Sequence, residues 1–149
     1  ILILKKFLEE PDGWIENKLN SCLVLSCCYQ AMGENAAAFD ILFYSFTMDV
    51  PRAEICCEIG RLFMEKREYV TAAYWYQQAL LAPRKKKNGG FYIADSHDFI
   101  PAIQMCVCLD KAGRHREAFE FHKKARVLKP LHQAVIGNEK YFRDVWGME

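Results

Sequence analysis

The sequence predicts an all-α fold, a right-handed α-solenoid of stacked helix pairs. Three observations carry the prediction. Residues of matching size recur 34 positions apart: Tyr29 with Phe63, Ala38 with Ala72, Ser45 with Ala79. Each interval reads as two amphipathic helices joined by a short turn, and a fixed period of this length is the mark of a repeat array. Glycine and proline fall at the breaks. Ala72 and Ala118 are 46 apart, one period plus 12. The surplus falls at Pro83-Arg84-Lys85-Lys86-Lys87-Asn88-Gly89-Gly90, whose composition is that of a loop.

Taken in order, residues 1–12 read as the second helix of a preceding repeat with Pro11-Asp12-Gly13 as its turn. Residues 13–50 form a repeat, with helices near Gly13–Met32 and Ala36–Met48 and a break at Gly33-Glu34-Asn35. Residues 51–83 form the next, with helices near Pro51–Lys66 and Tyr69–Ala82. An insertion loop spans 84–97, and a repeat spans 98–130, with helices near Asp98–Ala112 and Arg116–Leu128. Residues 131–149 are a capping helix and tail, which an array needs because its last apolar face has no neighbour. Pro51 and Pro101 suit a first helical turn, where no backbone donor is required. Asp98 suits an N-cap.

Composition narrows the function. The 149 residues are enough for one domain with a core, here about three repeats plus partial ends. Twenty Lys and Arg offset nineteen Asp and Glu, so no overall field attracts nucleic acid or an anionic membrane. No apolar run reaches the roughly 18 residues of a membrane span. Seven cysteines, an odd number lying within helical stretches, indicate a reducing cytoplasm. The chain begins at Ile1, in mid-helix, and reads as part of a longer protein.

The repeat positions resemble those of the tetratricopeptide-repeat (TPR) family. In the middle unit they are Ile59-Gly60, Phe63, Ala72, Tyr76, Ala79 and Pro83. In the third they are Leu109, Ala118, Ala125 and Pro130, with Cys106 in place of glycine. In the first they are Tyr29 and Ala38, with Ser26 and Ser45 standing in for Gly and Ala. Small residues recur where two helices approach closely. A narrower resemblance rests on Pro51–Gly60, Tyr74-Trp75-Tyr76, Phe99–Cys108 and Asn138–Phe142. These stretches are similar to the C-terminal TPR region of bacterial family-2 glycosyltransferases. That resemblance implies a transferase parent whose catalytic domain is absent from this chain. A stand-alone TPR adaptor with no enzyme attached is the alternative.

No residue set points to catalysis, and no cofactor or metal is expected in this fragment. Cys27-Cys28 and Cys56-Cys57 are adjacent on helices and splay about 100° apart. Cys106 and Cys108 do not share a helix face. All six read as packing groups. Asp95-Ser96-His97-Asp98 reads as a capping segment rather than a ligand set. Arg84–Lys87 reads as a solvated charge run. Trp75 and Tyr74 exceed what the repeat pattern needs, and either cover the insertion or face a partner. By the family pattern the concave face is lined by Leu23, Cys27, Cys57, Arg61, Ile103 and Val107. This set is mostly apolar, unlike the Lys and Asn of arrays that clamp acidic chaperone tails. It implies a protein partner: an acceptor protein, the parent's own catalytic domain, or a second subunit in a homodimer.

Overall fold

The computed structural model describes residues 1–84, 90 and 92–149. Among them eight α-helices follow in order: α1 (Leu2–Glu9), α2 (Ile15–Ala31), α3 (Asn35–Tyr44), α4 (Ala53–Glu65), α5 (Tyr69–Leu81), α6 (Phe99–Lys111), α7 (His115–Leu128) and α8 (Gln133–Trp146). Short 3₁₀ turns occupy Ser45–Thr47 and Ala94–His97, and the described residues hold no strand. Of the insertion loop expected at 84–97, residues 85–89 and 91 lie outside the described residues. Asp98 caps α6, its carboxylate accepting the Phe99 N–H at 2.6 Å, and Pro101 sits in the first turn of that helix. Pro51 does not sit inside α4. The helix starts two residues later, after an extended Arg52.

Three helices stop in the same way. Gly33 after α2 and Gly113 after α6 take left-handed φ values of 76° and 81°. In each case the next residue's N–H reaches back over the end, Glu34 to the Tyr29 carbonyl and Arg114 to the Leu109 carbonyl, both at 2.8 Å. This closes carbonyls that a helix end leaves open. Arg67 does the same after α4, with φ 59° and Glu68 N–H on the Phe63 carbonyl at 2.9 Å. It carries a Cβ in a conformation that glycine holds without cost.

Packing explains the small residues. Ala38, Ala72, Ala79, Ala118 and Ala125 are wholly buried between helices. A Cβ on Gly60 would lie 2.9 Å from the Tyr76 ring, so α4 and α5 can meet there only through glycine. Leu19, Leu25, Leu42, Ile55 and Ile59 are also fully buried, each contributing roughly 1.5–3 kcal/mol by leaving water. Among the described residues Trp75 packs toward the preceding helix pair. It stacks on Phe46 and leans on Phe43, joining α5 to the preceding pair, with the exposed Tyr74 edge-on beside it. The array is uneven along its length. α5 packs against both α4 and α6, whereas α8 rests mainly on α7 and buries only Val135 and Phe142.

Candidate protein-docking surface

Of the six residues expected to line a common groove, Cys57 and Ile103 are buried. On α2, Cys27 is exposed and Leu23 half-buried; on α6, Val107 is half-buried. Ile103 lies inside the helix stack. It is buried in a cluster with Phe99, Ala102, Ala125 and Val135, where α8 closes over α6 and α7. Cys57 is covered by the chain itself: its thiol donates to the Ser96 carbonyl at 3.4 Å.

Arg61 is already engaged. Its Nε donates to Glu58 Oε2 at 2.9 Å and its Nη2 to Glu58 Oε1 at 2.6 Å, so the fork grips a carboxylate of its own helix. Nη1 reaches Glu65, and Nη2 also reaches the Gln30 amide oxygen. Gln30 also donates to Glu58 at 3.0 Å, tying α2 to α4. Burial pushes the Glu58 carboxyl up, but hydrogen bonds from Arg61 and Gln30 and the Arg61 charge hold it below the usual carboxylate range. This stretch of the face is therefore polar and internally satisfied, rather than an apolar surface with one charge offered to a partner.

The segment before α6 accounts for the rest. Glu54, in the first turn of α4, accepts the Ile93 N–H at 2.7 Å. His97 Nε2 lies 3.5 Å from the same carboxylate, and the Tyr92 ring stacks on the imidazole. Gly90 lies against Glu16 of α2, so close that a Cβ would meet that side chain at 2.7 Å. Beside it Arg52 bridges Glu16, through bonds of 3.1 and 2.8 Å, and Asp49 at 2.6 Å. Residues Tyr92–His97 thus form a strap across the starts of α4 and α6. Asp98 is a cap as its sequence suggests, but Ser96 and His97 are buried strap residues. The signal that could have found the strap is Glu54 itself, a carboxylate in the otherwise apolar Ala53–Cys57 turn, which needs a buried partner.

The cysteines add no second chemistry. Cys22, Cys56, Cys57, Cys106 and Cys108 are buried and Cys28 is half-buried, and all seven are free thiols. Burial pushes Cys22 up to about 11 and Cys56, Cys106 and Cys108 to about 12, the opposite of an activated nucleophile. Among the described residues no three His, Cys, Asp or Glu gather as a metal would require. No helix there is long and apolar enough to cross a membrane.

The far end is different. Between α7 and α8 lies an open pocket of about 350 Å³ lined by Arg126, Pro130, Val135, Ile136, Glu139, Lys140 and Arg143. Its floor is fixed by a buried histidine that sequence reasoning passed over. His122 Nε2 meets Glu139 Oε2 at 2.5 Å, and the ring lies between Phe119 and Phe142. Arg126 holds the other Glu139 oxygen at 2.7 Å. The His122 bond first, and the Arg126 charge, keep the Glu139 carboxyl below its ordinary range despite some burial.

No protein-family model matches the chain, and no curated protein matches it. Among solved structures it is similar to the crystal structure of MamA, at 21% identity and a TM-score of 0.65, over 95% of this chain and 75% of that one. The likeness is one of fold, and with the helix pairs above it makes the architecture an all-α solenoid of TPR type.

Proposed function

We propose that this chain is a protein-interaction scaffold, built of repeats at 13–50, 51–83 and 98–130 with partial units at either end. The observation that carries this reading is apolar surface left exposed along a stack of packed helix pairs. Large apolar side chains stand exposed along it, including Val24 beside Cys27 on α2, Val70 and Leu81 on α5, and Ile136 on α8. Clustered titratable groups such as Arg52–Glu16 and Arg61–Glu58 are consumed in holding helices together, which leaves positioning as the mechanism. The part of the α2–α4–α6 face that stays open, around Cys27, Arg61 and Val107, is the surface we assign to an acceptor protein or a second subunit.

Membership of a family-2 glycosyltransferase is the finer reading. Its support is the resemblance of four segments, of which Pro51–Gly60 and Phe99–Cys108 fall largely on α4 and α6. The scaffold reading is tested by placing a photo-crosslinking residue at Cys27 or at Val107 in the whole protein. A discrete crosslinked protein is expected, reproduced with that protein purified and lost on Val24→Asp. Crosslinking that never saturates, or sugar transfer catalysed by this chain alone, contradicts it.

A further inference from the structure

We propose that the pocket between α7 and α8 docks an acidic amphipathic segment of a partner protein, an apolar side chain filling the floor and carboxylates meeting the rim. The inference rests on the scaffold reading and gives it a second surface, apart from the face of the first helices.

Charge is the first argument. Residues 114–143 carry eight Lys and Arg against three Asp and Glu, while the whole chain carries twenty against nineteen. With Asp144 and Glu149 counted, the C-terminal end from residue 114 is still net basic, eight against five, and the residues before it are net acidic, twelve against fourteen. At the pocket the one carboxylate is spent, because Glu139 is shared between His122 and Arg126. Lys140 makes no ion pair among the described residues, and Arg143 reaches only Asp144 next to it, at 3.4 Å. Both stand exposed.

Shape is the second. Ile136, Lys140 and Arg143 recur at i, i+4 and i+7, so they form one stripe along α8. The stripe faces Arg126 and Pro130, with Val135 beneath. A pocket of about 350 Å³ is at the small end of ligand clefts, a size for one or two large side chains. Within the lining Ile136 is 54% exposed, and Val127 and Leu131, each next in sequence to a lining residue, are 82% and 85% exposed. An apolar floor inside a basic rim is complementary to a helix with Leu or Phe on one face and Asp or Glu beside them. An anionic lipid surface would also answer the charge. The pocket, however, is concave and its α8 stripe holds one apolar residue among charges, which suits a projecting side chain better than a planar interface.

The probes are a fluorescein-labelled helical peptide with Leu at i, i+3, i+4 and i+7 and Glu elsewhere, the same peptide with Lys for Glu, and vesicles of phosphatidylcholine with phosphatidylserine. Anisotropy titration of the full chain is expected to show saturable binding of the Glu peptide only, weakening as salt rises. Lys140→Glu with Arg143→Glu should weaken it at least tenfold, and Ile136→Asp likewise, with helicity and melting unchanged because all three side chains are exposed. The crosslinks at Cys27 should survive these changes, which separates failure of this site from failure of the scaffold reading. Equal affinity for the two peptides, no saturation by the Glu peptide below about 1 mM, indifference to the variants, or vesicle binding in place of peptide binding would each overturn the proposal.

Discussion

The α4–α5–α6 centre and the α8 end are made from the same kind of helix, yet they use their polar groups in opposite ways. Around the start of α4, polar groups are buried: Arg52 and Glu16 expose only 6% and 11% of their side chains, and Glu54 meets His97 of the strap with each exposing 3%. At the end, Arg126 and Glu139 are paired but expose 38% and 33%, and the cations beyond them face water. A central helix has neighbours on both sides and must satisfy everything inside. A terminal helix has one neighbour and can leave its other face for use.

The widest separation should come from the two arginines. Arg52→Ala removes the guanidinium that bridges Glu16 and Asp49 in the interior, and should cost about 3 kcal/mol in a denaturant melt. Arg126→Ala breaks a partly exposed pair and should cost under about 1 kcal/mol. Equal losses would erase the distinction. Two glycines sharpen it next. A Cβ at Gly60 meets the Tyr76 ring, so Gly60→Ala should destabilise by about 1–3 kcal/mol. Gly137, within α8, has nothing within 4 Å of its Cβ position, so Gly137→Ala should stabilise by about 0.5–1 kcal/mol through helix propensity.

Acid tests the polar link between α2 and α4. The Glu58 carboxyl titrates below its ordinary value of 4.5 in the folded chain. Its stabilisation is thus complete above that value and is lost as pH falls through the lower, folded one. Glu58→Gln should flatten this part of the stability profile, measured by urea melts between about pH 6 and pH 3; an unchanged profile would remove Glu58 from the account. The smallest effect is expected at Arg67→Gly. Relieving a left-handed residue should raise stability by up to about 1 kcal/mol, whereas Gly113→Arg, the reverse exchange at the matching helix end, should lower it by a similar amount.

Sequence made the helices legible because their information is local. Size periodicity placed α2 to α7 to within a few residues, and the Gly60–Tyr76 contact follows from the repeat pattern. Arg67 was hidden because a positive φ leaves no trace in an arginine, although Gly33 and Gly113 mark the same place in the flanking pairs. The surface was harder. Ile103 and Cys57 lie on helices whose register was read correctly, but what covers them, α8 and the strap, comes from elsewhere in the chain. Arg61 is the one charge in the expected concave set and is already paired, because Glu58 is three positions away on its own helix. Period and composition cannot say which side chain an arginine has taken.

The difference between a closed centre and an open end is tested most directly by native-state hydrogen exchange resolved by residue. Amides of α4, α5 and α6 should exchange only through global unfolding, their opening free energy moving with denaturant like that of the whole chain. Amides in the middle of α8 should exchange through a smaller, local opening that depends weakly on denaturant, and Arg52→Ala should shift the first set while leaving the second almost unchanged. A single opening free energy shared by α4, α6 and α8, moved equally by that substitution, would contradict the account.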